Sequence, residues 1–135
     1  MKIIIIILIT FFTSHNLFGQ VTYGKEIKAK YSTFSTWNYY QEEYIEDEEI
    51  SGWMETSILP QKDYYIVNFS EKESKIWWEH SSQSDEIDET DIYITEDKRK
   101  IVFNYEFQII YFFYNFNETY NRYEDLMEIS KLEVR

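Results

Sequence analysis

No cysteine occurs in the 135 residues, proline occurs once, at Pro60, and glycine three times. Without cysteine the chain can form no disulfide, no thiolate nucleophile and no lipid anchor on a lipobox cysteine. Histidine is almost as scarce, with His15 and His80 the two present. A zinc site built from histidine and cysteine usually takes at least three such ligands, and the count excludes it. Positive charge is also short: 13 Lys and Arg stand against 25 Asp and Glu, a formal charge of −12. Such a surface repels phosphate backbones and anionic lipid, which sets nucleic acid aside. Basic proteins and divalent cations remain the charge-matched partners. The longest apolar run, residues 3–12, is far shorter than the roughly 20 residues a membrane helix needs.

That run has another reading. Lys2 precedes it, polar residues 13–16 follow, and Leu17-Phe18-Gly19-Gln20 ends it. A charged start, a short apolar centre and a small residue at the end are the parts of a secretory signal peptide. Residues 1–19 are therefore expected to be a signal peptide and residues 20–135 a single exported domain, periplasmic or extracellular, with no membrane span left after cleavage. Leu17-Phe18-Gly19-Gln20 resembles the signal-peptide ends common in exported proteins of the Bacteroidetes. The remainder is similar in texture to the small β-rich exported proteins of that group, rich in Tyr, Trp, Asp and Glu. The resemblance implies export and a small β-rich domain, and no activity transfers with it.

What the chain has in quantity is aromatic side chain, with Tyr 13, Phe 10 and Trp 4. Each buried ring removes on the order of 150–250 Å² from water, so rings can supply the core that disulfides do not. The pattern around them is of period two. In the stretch 99–117, Ile101, Phe103, Tyr105, Phe107 and Ile109 alternate with polar residues, then give way to a continuous apolar run. This predicts a central strand, straight or bent near Gln108, on which the others are laid. Segments 21–31, 37–45, 53–59, 64–69, 75–80 and 90–95 read as further strands, with 90–109 a hairpin turning at 96–98. Residues 32–36, 46–52 and 81–89 read as loops. After Asn117, Tyr123, Leu126, Met127 and Ser130 fit a helix face, which predicts a short helix at 121–130 followed by extended chain. The fold expected is all-β, an antiparallel meander forming a small sandwich or barrel, with that C-terminal helix. An α+β fold is the alternative.

Candidate chemistry is thin. His80 stands beside Ser81 and Ser82, but neighbours in an extended chain point to opposite faces, and the reading is a surface histidine ending a strand. A carboxylate pair for glycoside hydrolysis needs a set separation in a cleft, which the acidic residues do not reveal by abundance. Two acidic clusters, 42–49 and 85–91, gather hard oxygen ligands in loops and make Ca²⁺ the candidate cofactor, without the glycine-centred spacing of an EF-hand loop. Trp77-Trp78 are consecutive in a strand, so one ring should enter the core and the other face out. Trp53, Trp77 and Trp78 are the candidate ligand-binding residues, because outward rings stack on sugar faces or anchor a protein partner.

The function expected is therefore non-enzymatic binding through exposed rings framed by acidic loops. The partner would be an envelope or secreted protein with a basic face, captured faster through electrostatic complementarity. A glycan or small-ligand binder assisted by Ca²⁺ is the second reading and a small carboxylate hydrolase the third. Long aromatic strands at a sheet edge leave a homodimer open.

Overall fold

The computed structural model describes residues 19–135, apart from the side chain of Asp85. The expected signal peptide thus lies outside the described residues except for Gly19. The described chain is all-β. Its strands are β1 (Ile27–Asn38), β2 (Glu43–Glu46), β3 (Gly52–Pro60), β4 (Tyr64–Phe69), β5 (Lys72–His80), β6 (Thr90–Thr95), β7 (Lys100–Asn104), β8 (Ile109–Asn117) and β9 (Arg122–Val134). Every pairing is antiparallel, and each strand from β3 to β9 lies beside the next in sequence.

β1 closes the meander. One edge pairs with β9, from Ile27 opposite Val134 to Thr36 opposite Asp125. The other edge takes β3 along its first half and β2 along its second. The result is an eight-stranded closed barrel with β2 as an added strand, so the expectation of a sandwich or barrel resolves to a barrel. Closure satisfies the backbone polar groups that an open sheet would leave along its edges. The inner positions carry Ile27, Ala29, Ile58, Tyr65, Trp78, Tyr93, Ile101, Phe103, Ile110 and Ile129, all nearly or fully removed from water. On the outside, Lys28, Glu55, Glu73 and Lys75 stand along the strands. Apolar inside and charged outside is the reverse of a membrane barrel's alternation. Among the described residues no helix is long and apolar enough to cross a membrane.

Three expectations are corrected. The organising stretch is two strands, β7 and β8, because residues 105–108 turn the chain right round. Asn104 Oδ1 accepts the Phe107 amide at 2.8 Å and Gln108 takes a φ of 55°. A side-chain-built turn of this kind needs no Gly or Pro. The apolar phase flips across it: Ile101 and Phe103 are inside, Phe107 is exposed, and Ile110 and Phe112 are inside. The supposed helix at 121–130 is part of β9, which pairs with β8 on one side and β1 on the other. Met127 faces the interior while Leu126 is buried on the outer side, so a strand covered on both faces mimics a helical stripe. Finally, residues 32–36 belong to β1, which begins only at Ile27. Ser32 and Ser35 are buried strand residues whose hydroxyl chemistry reads locally as a loop.

Candidate functional site

The strands alternate between a lower and an upper end. The lower end carries the N-terminal segment, the β5–β6 loop and the β7–β8 turn; the upper end carries the β4–β5, β6–β7 and β8–β9 turns. The lower end is closed. The Val21 amide donates to the Tyr105 hydroxyl at 2.9 Å, Tyr105 donates to Asp91, and His80 Nε2 lies 2.9 Å from the other Asp91 oxygen. The Tyr23 and Tyr93 hydroxyls share a hydrogen bond at 3.1 Å, and the Gly24 amide donates to the Pro60 carbonyl at 2.8 Å. These bonds strap residues 21–24 across the bottom of the barrel. Burial pushes Tyr105 and Tyr93 well above the usual phenol range, and the neighbouring Asp91 adds to it.

The upper end is open. Only Trp78, Glu79 and His80 of β5 pair with β6, opposite Thr95, Ile94 and Tyr93. β6 stops at Thr95 and turns, so Lys72–Trp77 has β4 on one side and, among the described residues, no strand on the other. A cavity of about 540 Å³ lies inside this part of the barrel, walled by Phe34, Val67, Phe69, Ile76, Phe112 and Met127. Tyr65, 2% exposed, also lines it. Phe34 and Phe69 meet edge-on at 5.9 Å, and Tyr65 and Phe112 lie 6.4 Å apart. An eight-stranded barrel is just wide enough to be filled by side chains or to hold one small ligand. Here the lower half is filled and the upper half is not.

The mouth is polar. The β6–β7 turn is knitted by the Thr95 amide donating to the Arg99 carbonyl at 2.9 Å and the Arg99 amide donating to Thr95 Oγ1 at 2.9 Å. Arg99 Nε lies 2.8 Å from Asp97 Oδ2, and the Thr95 hydroxyl donates to Asp97. Partial burial pushes the Asp97 carboxyl up, but the Thr95 hydrogen bond and the Arg99 charge outweigh it and hold the pKa below the usual carboxylate value. Across the mouth, Lys98 Nζ lies 2.9 Å from Glu118 Oε1. Burial raises the Tyr65 hydroxyl to about 12, against the pull of a hydrogen bond and charge from Arg99. On the β1–β3 wall, the buried hydroxyls of Ser32 and Thr56 have no hydrogen-bond partner among the described residues.

The three tryptophans singled out from sequence are not brought together. Trp78 is inside at 3% exposure, its Nε1 donating to the Gln61 carbonyl at 2.8 Å. Trp77 is outside at 56%, against Tyr64, with Lys75 Nζ 4.9 Å from its ring. Trp53 is outside at 75%, edge-on to Tyr31 near the upper start of β3, whereas Trp77 sits opposite the lower start of β4. The acidic clusters likewise stay dispersed. Among the described residues no three His, Cys, Asp or Glu side chains converge on a metal position. His80 serves Asp91, and Ser81 Oγ accepts the Gln83 amide, so the two do not form a base and nucleophile pair. What the sequence reading missed is the cavity and Arg99. Lys98-Arg99-Lys100 is the one cluster of three consecutive basic residues in an acidic chain, and it was the available signal. Comparison with protein-family models, curated proteins and solved structures finds no significant match to the chain, and the site is read from its own geometry.

Proposed function

We propose that this chain is a non-enzymatic, exported barrel that binds one small, largely apolar ligand in its upper cavity. The observation that carries the reading is an aromatic-walled cavity of about 540 Å³ inside a barrel strapped shut at the opposite end. Ligand sites are mostly apolar hollows of roughly 300–1,000 Å³ with a few polar groups placed at the entrance. Apolar walls left facing a cavity are costly in a chain of this size unless something fills them. The test is titration with the neutral fluorophore N-phenyl-1-naphthylamine. Saturable one-to-one binding with enhanced, blue-shifted emission supports the reading, and emission that stays at its buffer value contradicts it.

A second reading, docking of a protein partner with a basic face, is supported by the exposure of Trp53 and Tyr40 and by the acidic stretch beside β2. It predicts capture of that partner at low salt and release at high salt.

A further inference from the structure

We propose that the cavity mouth is an anion clamp centred on Arg99, and that the ligand class is an apolar monocarboxylate, its body among the rings and its carboxylate on the guanidinium. The inference rests on the small-ligand reading and adds the chemistry of the head group.

Arg99 is placed by its backbone. It ends a turn held at Thr95 by an amide–carbonyl bond and an amide–hydroxyl bond, and this fixes where its side chain departs from β7. Asp97 takes the guanidinium through Nε at 2.8 Å, and Thr95 in turn holds Asp97. A guanidinium has five N–H donors in a planar fork. No second carboxylate lies within ion-pair distance of it among the described residues, so a ligand carboxylate would compete for the terminal nitrogens only with the neutral Tyr65 hydroxyl. Two parallel N–H donors to one carboxylate are the strongest form of this contact. The Tyr65 hydroxyl lies beside the guanidinium and lines the same cavity.

Charge selects the valence. Lys98 and Arg99 line the mouth with Asp97 and Glu118, two cations against two carboxylates. Both carboxylates are already spent, Asp97 on Arg99 and Glu118 on Lys98. Lys100, next to the inward Ile101, sends its ammonium to the outer face, 5.9 Å from the Phe113 ring centre, and takes no part in the mouth. The mouth is thus neutral on balance in a chain whose formal charge is −12. A single carboxylate reaching Arg99 meets less repulsion at this neutral mouth than on the acidic surface around it, whereas a polyanion meets that surface as well.

The test compares 2-naphthoate with its neutral isostere 2-naphthamide by isothermal titration calorimetry on the wild-type protein and on Arg99→Gln and Arg99→Lys. The naphthoate should bind the wild type tighter than the amide by roughly tenfold to a hundredfold, the range expected of hydrogen bonds to a charged group. Arg99→Gln should erase that preference, bringing the naphthoate and amide affinities together, while Arg99→Lys keeps part of it. Equal wild-type affinities, or a preference that survives Arg99→Gln, would overturn the clamp. Amide binding without carboxylate preference leaves the small-ligand reading standing, and failure of both ligands to bind removes both. Should Arg99→Gln not fold, the wild-type preference at 0.5 M NaCl decides: it must shrink, because a partly exposed charge contact is screened, and an unchanged preference counts against the clamp.

Discussion

Trp78 and Tyr93 stack across the β5–β6 seam, ring centres 4.0 Å apart and planes 22° from parallel. This seam is the shortest in the barrel, running from Trp78 opposite Thr95 to His80 opposite Tyr93. Rings therefore hold there what backbone hydrogen bonds cannot. Phe103 meets both rings edge-on, at 6.0 Å from Trp78 and 5.7 Å from Tyr93, and fixes the stack from β7.

Trp78→Ala should accordingly cost about 3–5 kcal/mol, the range for removing a large core ring. Trp77→Ala, one residue away on the outer face, should cost less than 1 kcal/mol. Urea unfolding of the two variants checks the contrast. Comparable losses would mean that the seam is not held by the inner ring.

That contrast was legible in the sequence, because consecutive residues of a strand must face opposite ways. The all-β class was legible for the same reason, but the strand count was not, with seven strands expected where nine form. The β7–β8 turn was not, since Asn104 builds it through its side chain and Gln108 accepts an unfavourable φ, without a breaker residue between Arg99 and Asn117. β9 was missed because Met127 packs inward, partly buried, and Leu126 is buried outward, which erases the period of two. The cavity is further still from the sequence. Its walls come from β1, β4, β5, β8 and β9, and a space depends on how far side chains from separated strands fail to meet.

With so few glycines, the hairpin turns use other residues at positive φ. Ser70 and Glu71, between β4 and β5, have φ of 50° and 64°. Both central residues being left-handed matches the two-residue turn that favours Asn-Gly. The double change Ser70→Asn, Glu71→Gly should raise stability by about 1 kcal/mol, since a left-handed conformation costs an ordinary residue roughly that much. A higher urea midpoint at unchanged slope is the expected result.

Alkali should weaken the fold early. Burial raises the folded-state pKa of Tyr65 to about 12 from an ordinary value near 10. Between those values the unfolded chain releases the proton while the folded chain keeps it, so stability is present below pH 10 and falls as pH rises toward 12. The Tyr65 share is on the order of 2 kcal/mol. Denaturant midpoints at pH 8, 10 and 11 should drop for the wild type and drop less for Tyr65→Phe.

Glu128 acts in the carboxylate range. Burial raises its pKa, and Glu46 of β2 adds to the shift. The folded state therefore holds the proton more tightly, and stability is lost as pH rises through the carboxylate range. Glu128→Gln removes that loss. Its thermal midpoint should exceed the wild type's at pH 7, with the gap narrowing toward pH 3.

The central claim is that the ligand sits inside the barrel and not on the outer rings. Its most direct test is the N-phenyl-1-naphthylamine isotherm of three proteins: wild type, Trp53→Ala with Trp77→Ala, and Ile76→Trp, which places an indole in the cavity. The cavity account predicts that the outer double variant matches the wild type and that Ile76→Trp, still folded by its thermal transition, loses binding. Binding that survives in Ile76→Trp but disappears with the outer tryptophans would contradict it.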